Sequence, residues 1–257
     1  MDVGQVNREG WDRRVEAADV WTVAVDAETI ARARAGDWAI HLTANRPTPA
    51  DWLGDVAGRD VLCLASGGGQ QGPTLAAAGA RVVVFDASAR QLAQDEAVAR
   101  REGLDLTIRQ GFMHDLSGFA NAAFDLIFHP VSNCYAPQVE PVWRECFRVL
   151  RPGGVLLAGF MNPMVYVFDP DAEARGELVA RFRLPYSDIA DRDPETLAAI
   201  IARDHTVEFS HSLEAQIGGQ LRAGFLLTGL FEDTDRGDAS MRSRWFPTMI
   251  ATRAVKP

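Results

Sequence analysis

Ser66-Gly67-Gly68-Gly69-Gln70-Gln71-Gly72 follows directly on the apolar run Val61-Leu62-Cys63-Leu64-Ala65. Glycines between a strand and a helix let the backbone approach a ligand closely, and they leave the helix N-terminus free to hold it. The frame from Gly67 to Gly72 satisfies the G-x-G-x-x-G pattern of dinucleotide sites. A tight turn without a ligand produces the same letters, so the loop needs a second element. Asp86 supplies one. It ends the next apolar run, 21 residues after Ala65, where a carboxylate can accept hydrogen bonds from ribose hydroxyls. The plainer reading of Asp86 is a helix-capping or solvated aspartate. Loop and acid together point to a ligand carrying a nucleoside.

Chemistry on such a ligand needs groups at the same rim. His129 ends a fourth apolar run and is the candidate proton acceptor, because histidine titrates near neutrality. Its alternative is a ring that only positions the ligand or caps the strand end. Asn133, Tyr135, Asn162 and Tyr166 follow the ends of the runs at 124–129 and 155–160, where they could orient a substrate. Trp11 is a further candidate: an aromatic on an N-terminal helix can close over a ligand and attract positive charge. Tryptophans more often simply pack. His41, His205 and His211 read as ordinary helix or loop residues. The five histidines and three cysteines show no metal-ligand spacing, and an odd cysteine count is no disulfide framework.

Short apolar runs bounded by glycine or polar residues predict strands at 61–65, 81–86, 104–109, 124–129, 155–160, 225–232 and 249–255. Between them, helices are expected at 73–78, at 89–101 behind a Ser88 cap, at 139–150 and at 213–223. Arg151-Pro152-Gly153-Gly154 reads as a turn. Strand–helix alternation with short links implies parallel strands and a doubly wound α/β sheet. Ligands of such sheets bind beyond the carboxyl ends of the strands, which lines up the glycine loop, Asp86, 112–115 and 129–134. The chain reads as a single domain: a helical cap at 1–58, a core at 59–161, a cover over the site at 162–211 with helices at 172–181 and 194–202, and a terminal helix and hairpin at 212–257.

The chain has 257 residues and a net charge of −9. An acidic chain is a poor partner for a nucleic-acid backbone, whose affinity comes from Lys and Arg on phosphates. No segment approaches the ~18 apolar residues of a membrane helix, and the N-terminus lacks a basic stretch followed by an apolar run. A reducing cytoplasm is the expected compartment. The pattern carries no signal for an oligomeric state.

Phe124-Asp125-Leu126-Ile127-Phe128, followed by Arg148-Val149-Leu150-Arg151-Pro152-Gly153-Gly154 and by a terminal helix with two strands, resembles the class I S-adenosylmethionine-dependent methyltransferases of the small-molecule type. The resemblance spans about 60–256. It implies a Rossmann-like seven-stranded sheet of order 3-2-1-4-5-7-6 with strand 7 antiparallel. It also implies S-adenosyl-L-methionine as cofactor and a small-molecule substrate whose accepting atom stays open. Carried over, the cofactor's methionine part meets Ala65, Ser66, Gly67, Gly69, Gln70 and Gln71. Its ribose meets Asp86, its adenine Phe112, Met113, His114 and Asp115, and Ala87 and Gln91 join the same cofactor site. Its sulfonium lies beside His129, Pro130, Val131 and Asn133, under Trp11. Cys63, Ala65 and Phe112 depart from the family pattern, in which an acid, a glycine and often an aspartate stand. Those departures leave room for a non-catalytic cofactor-binding or assembly protein. An NAD-dependent oxidoreductase is the remaining alternative.

Overall fold

Each of the seven apolar runs is a strand of one sheet in a computed structural model that describes residues 1–235 and 240–257. The strands are β1 (Asp60–Leu64), β2 (Arg81–Asp86), β3 (Leu106–Gln110), β4 (Phe124–His129), β5 (Leu150–Met161), β6 (Leu226–Asp233) and β7 (Met249–Val255). Their order is β3-β2-β1-β4-β5-β7-β6. β1 to β5 pair parallel, and β7 runs antiparallel to both its neighbours.

The helices are α1 (Val3–Glu16), α2 (Ala27–Arg34), α3 (Ala50–Leu53), α4 (Gln71–Ala77), α5 (Ala89–Glu102), α6 (Glu140–Val149), α7 (Pro170–Ala174), α8 (Asp188–Asp191), α9 (Pro194–Asp204) and α10 (Gly219–Ala223). They cover both faces of the sheet, so alternate residues of β1 enter different cores. Val61 and Cys63 pack with Leu75 and Leu92. Leu62 and Leu64 pack with Val142 and Trp143. Burial on both faces is why central strands such as β1 and β4 read as unbroken apolar runs rather than alternating ones. Ser88 caps α5 by accepting from Gln91 N, and Gly103 closes it in a left-handed conformation (φ 64°).

Several expectations change. The helix after the glycine loop starts at Gln71 rather than at 73, and β6 begins at Leu226 rather than 225. Residues 151–154 are not a turn before β5 but part of it. The register with β4 slips between Phe124 and Leu126, while Gly153 N donates to Lys256 O at 2.7 Å and Lys256 N to Gly154 O at 2.9 Å. The segment is thus a bulge paired to the chain beyond β7. The helix expected at 172–181 stops at Ala174. Gly176 takes φ 88°, and the chain folds back so that Asp169 N donates to Val179 O and Arg181 pairs with Asp169 at 2.7 Å. The helix expected at 213–223 opens with a wider turn, Glu214–Gly218, before α10. Within the cap, 35–49 is not helical. Asp233 fixes part of it, its Oδ2 accepting from Thr43 Oγ1, Asn45 N and Arg46 N at 2.7–2.8 Å.

Candidate functional site

The glycine loop leaves β1 where the sheet reverses its winding, and two carboxylates hold it. Asp86, at the end of β2, accepts from Gly67 N at 3.0 Å through Oδ2 and from Ser88 N at 2.9 Å through Oδ1. Asp95, on α5, accepts from both Gly68 N (2.9 Å) and Gly69 N (3.0 Å) through one oxygen. Gly67 must be glycine because α5 lies so close. A Cβ there would stand 2.7 Å from Gln91 Cβ and 3.2 Å from Asp86 Oδ2. Gly68 and Gly69 have φ of 111° and 72°, which L side chains rarely adopt. Burial pushes both carboxyls upward, Asp95 to about 7, while the loop N–H groups pull the other way.

This arrangement bears on ligand chemistry. Phosphate-binding loops turn free N–H groups toward an anion. Here the amides of Gly67, Gly68 and Gly69 are already committed to protein carboxylates, beside which a pyrophosphate would be repelled. The loop suits a ligand with hydroxyl, ammonium or sulfonium groups. Ser66 Oγ and Gln91 Oε1 are buried without a partner among the described residues, and with Asp86 they line one cavity. A carboxylate has about four lone-pair sites, so Asp86 retains acceptor capacity for ribose hydroxyls.

The cavity has a volume of about 900 Å³, within the ~300–1,000 Å³ of ligand sites. Its wall contains Trp11, Ala65, Ser66, Gly67, Gln70, Gln71, Asp86, Ala87, Gln91, Phe112, Met113, His114, Pro130, Val131 and Tyr135 from the residues expected at the site. Phe112 stacks on His114 at 5.7 Å. Trp11 meets Tyr135 edge-on at 5.4 Å, and the Arg14 guanidinium lies 4.9 Å over its ring, so part of the ring is already engaged.

Six expected residues are not on that wall. His129 is fully buried, with Nδ1 2.9 Å from Leu64 O and Nε2 2.7 Å from Asn133 Oδ1. Burial pushes its pKa down, and both ring nitrogens are spoken for. It braces β4 against β1 and replaces no solvent-facing base. Asn133 is equally buried, joining His129 to Gln216. Gly69 sits behind the loop, against Ala24. Asp115 turns to Ser117 N at 3.0 Å. Asn162 caps the turn after β5 and donates to Pro247 O. Tyr166 donates to Glu208 Oε2 at 2.8 Å.

The cap supplies the rest of the wall. Val3, Gly4, Asn7, Arg8 and Trp11 form one face of α1 toward the cavity, and 20–25 crosses the glycine loop. There Val25 N donates to Gly69 O at 2.9 Å and Gln70 Nε2 to Val23 O at 2.8 Å. His41 to Ala44 close the end beyond β4 and β5. Leu42 O accepts from Val131 N at 3.1 Å, and its approach requires Gly159, where a Cβ would lie 2.1 Å away. His41 is therefore a wall residue, not the ordinary loop residue its sequence context suggests.

Among the described residues none of 162–211 lines the cavity, so the expected cover does not lie over it. It backs the cap instead. Gly10 of α1 is pressed against His205 O, leaving no room for a Cβ. On the other side, Asp12 accepts from Ser88 Oγ at 2.6 Å and Arg90 N at 3.1 Å, and Glu16 pairs with Arg90 at 2.6 Å.

Asp95 is the loop-holding residue that sequence reasoning missed. Ser88, Gln91 and Asp95 form a polar stripe that the sequence alone reads as solvent-facing, yet all three are buried.

Comparison with known proteins agrees with this fold. The methyltransferase-domain family matches residues 62–158. The uncharacterized methyltransferase YbaJ of Bacillus subtilis (strain 168) is 45% identical over 250 residues, covering 97% of each chain. A S-adenosylmethionine-dependent methyltransferase structure from Mesorhizobium loti superposes with a TM-score of 0.61 at 18% identity, over 80% of this chain and 94% of that one. One from Listeria monocytogenes gives 0.62 at 17%, with the same coverages.

Proposed function

Because this chain belongs to the class I S-adenosylmethionine-dependent methyltransferases, we propose that it methylates a small molecule enclosed between the N-terminal cap and the ends of β4 and β5. S-adenosyl-L-methionine is the cofactor. The observation that carries the acceptor class is the enclosure: α1, the 20–25 segment and the loop at 39–44 wall a cavity of about 900 Å³. A nucleic-acid or protein chain would have to displace α1, and the net charge of −9 disfavours the former. Among the described residues no helix is long and apolar enough to cross a membrane. Three buried, unpaired thiols accord with a reducing compartment such as the cytoplasm.

In this reading Asp86 holds the ribose hydroxyls, with Ser66 Oγ and Gln91 Oε1 as further polar partners. Phe112, Met113 and His114 flank the adenine. Ala65 and Gly67 line the methionine part. Pro130, Val131 and Tyr135 stand toward the reacting end, with Trp11 above. The cofactor's sulfonium supplies an activated methyl group, so the protein contributes chiefly by holding the acceptor in line and excluding water. His129 has no free nitrogen to take a proton. The imidazole on the acceptor-side wall is that of His41.

The test is incubation of the protein and S-adenosylmethionine with a metabolite extract, followed by mass spectrometry. A low-mass component should gain one methyl group as S-adenosylhomocysteine appears. Methylation found only in the macromolecular fraction would count against the proposal.

A further inference from the structure

Asp95 lies outside the cavity, yet it is the deepest acid near it, with no exposed surface. It projects from the second turn of α5, on the same stripe as Gln91. One of its oxygens takes both Gly68 N and Gly69 N. The other has no partner among the described residues, and Gly72 at the start of α4 packs so closely that a Cβ there would stand 3.1 Å from it. A buried polar atom left unpaired is costly, and a buried carboxylate without a cation more so. The chain accepts this beside its ligand site, where its effect falls on one object, the glycine loop.

We propose that Asp95 is a positioning residue for cofactor binding, and that it works only as the ionised carboxylate. Ionised, it accepts from two consecutive amides and fixes Gly68 and Gly69 in their left-handed conformations. Those conformations set the edge that Ala65, Ser66 and Gly67 present to the cavity. Protonated, the carboxyl must place a hydrogen somewhere. The free Oδ1 takes the hydrogen, and the neutral acid's Oδ2 is a weaker acceptor than a carboxylate oxygen, so the double hydrogen bond weakens and the loop loosens. The titratable groups that bear on Asp95 are Asp86 on β2 and Cys63 on β1. Neither is a cation that would hold the charge, and burial moves the Asp95 carboxyl up to about 7. The switch thus falls near neutrality, and affinity for the cofactor is expected to drop as the pH falls below about 7.

The inference rests on the cofactor assignment, which wild-type binding of S-adenosylhomocysteine at about pH 8 tests by itself. Calorimetry with S-adenosylhomocysteine on wild type and Asp95→Asn, from about pH 5.5 to about 8.5, then tests the role of Asp95. The asparagine keeps an oxygen acceptor and lacks the charge. Wild-type affinity should fall below pH 7, by up to about tenfold per unit. Asp95→Asn should bind about tenfold more weakly at pH 8, with no such limb. Asp95→Asn binding as tightly as wild type, or retaining the limb, would overturn the proposal. A second measurement needs no variant. In wild type labelled with ¹⁵N-glycine, the Gly68 and Gly69 amides should titrate together near pH 7, with Gly67 reporting Asp86 separately. Should Asp95→Asn not fold, this experiment decides alone, and Gly68 and Gly69 amides that stay fixed across that range would refute the ionisation.

Discussion

Asn7 and Val207, 200 residues apart in the chain, exchange two hydrogen bonds: Asn7 Nδ2 donates to Val207 O at 3.1 Å, and Val207 N donates to Asn7 Oδ1 at 2.8 Å. The same amide also donates to Tyr135 O at 3.0 Å. One side chain of α1 thereby ties the cap both to the insertion after β5 and to the loop after β4. The insertion sets where the cap sits, and the cap encloses the ligand.

Replacing Asn7 by Ala should therefore loosen α1 without disturbing the sheet. The buried N–H and C=O of Val207 lose their partner, a cost of about 1–3 kcal/mol. Hydrogen exchange should accelerate through α1 and around Val207 while β1 and β4 stay protected. Unchanged exchange in α1 would mean that the Asp12 and Glu16 contacts suffice to hold it.

Cofactor binding should order the cap further, since α1 and 20–25 lie on the cavity wall. With S-adenosylhomocysteine, protection should rise in α1, in 20–25 and at the glycine loop. It should not rise in 162–168, which lies away from the cavity. Protection gained only at the loop and Asp86 would show the cap to be indifferent to the ligand.

Asp86→Ala removes an acceptor for the ribose and also frees Gly67 N. Affinity for S-adenosylhomocysteine should fall by about 1.5–3 kcal/mol, the scale of hydrogen bonds to a charged group, with a native circular dichroism spectrum. Wild-type affinity in a folded variant would put the ribose elsewhere.

The Asp95 carboxyl has a pKa in the fold, about 7, above its usual value. The folded state then binds the proton more readily than the unfolded chain, so this group costs stability above pH 7. The cost is relieved as pH falls from 7 toward the ordinary carboxyl range, by up to about 1.4 kcal/mol per unit. Thermal unfolding of wild type between pH 8 and pH 6 should move toward higher temperature, and Asp95→Asn should lose most of that slope. An equal slope in both proteins would place the titration on another group.

His41 and His129 should separate cleanly. His129→Ala takes the ring partner from Leu64 O and from the buried Asn133 Oδ1, so it should lower the unfolding temperature. His41→Asn should lower the turnover of an identified acceptor while sparing S-adenosylhomocysteine affinity. Turnover unaffected at His41 would assign the acceptor side to other residues.

The sheet was legible because its central strands are buried on both faces, leaving apolar runs that glycine and proline punctuate. Asp86 was legible from its place at a strand end. Other features were not, each for a physical reason. A charged residue within a helix, such as Asp95, ordinarily faces water, and nothing local marks its burial. His129 at a strand end looks like a reactive group until Leu64 O and Asn133 are seen to take both nitrogens. Gly176 ends α7 early, which the polar composition of 172–181 conceals. Whether an insertion lies over a cavity or behind the cap depends on partners as distant as Asn7 and Val207.

A crystal structure with S-adenosylhomocysteine bound tests the central claim most directly. Ribose hydroxyls are expected within hydrogen-bond distance of Asp86, adenine against Phe112, Met113 and His114, and the homocysteine sulfur turned toward Val131 and Tyr135. Gly67, Gly68 and Gly69 N should still donate to Asp86 and Asp95. Loop amides that had left those carboxylates to contact the ligand, or a ribose lying away from Asp86, would contradict it.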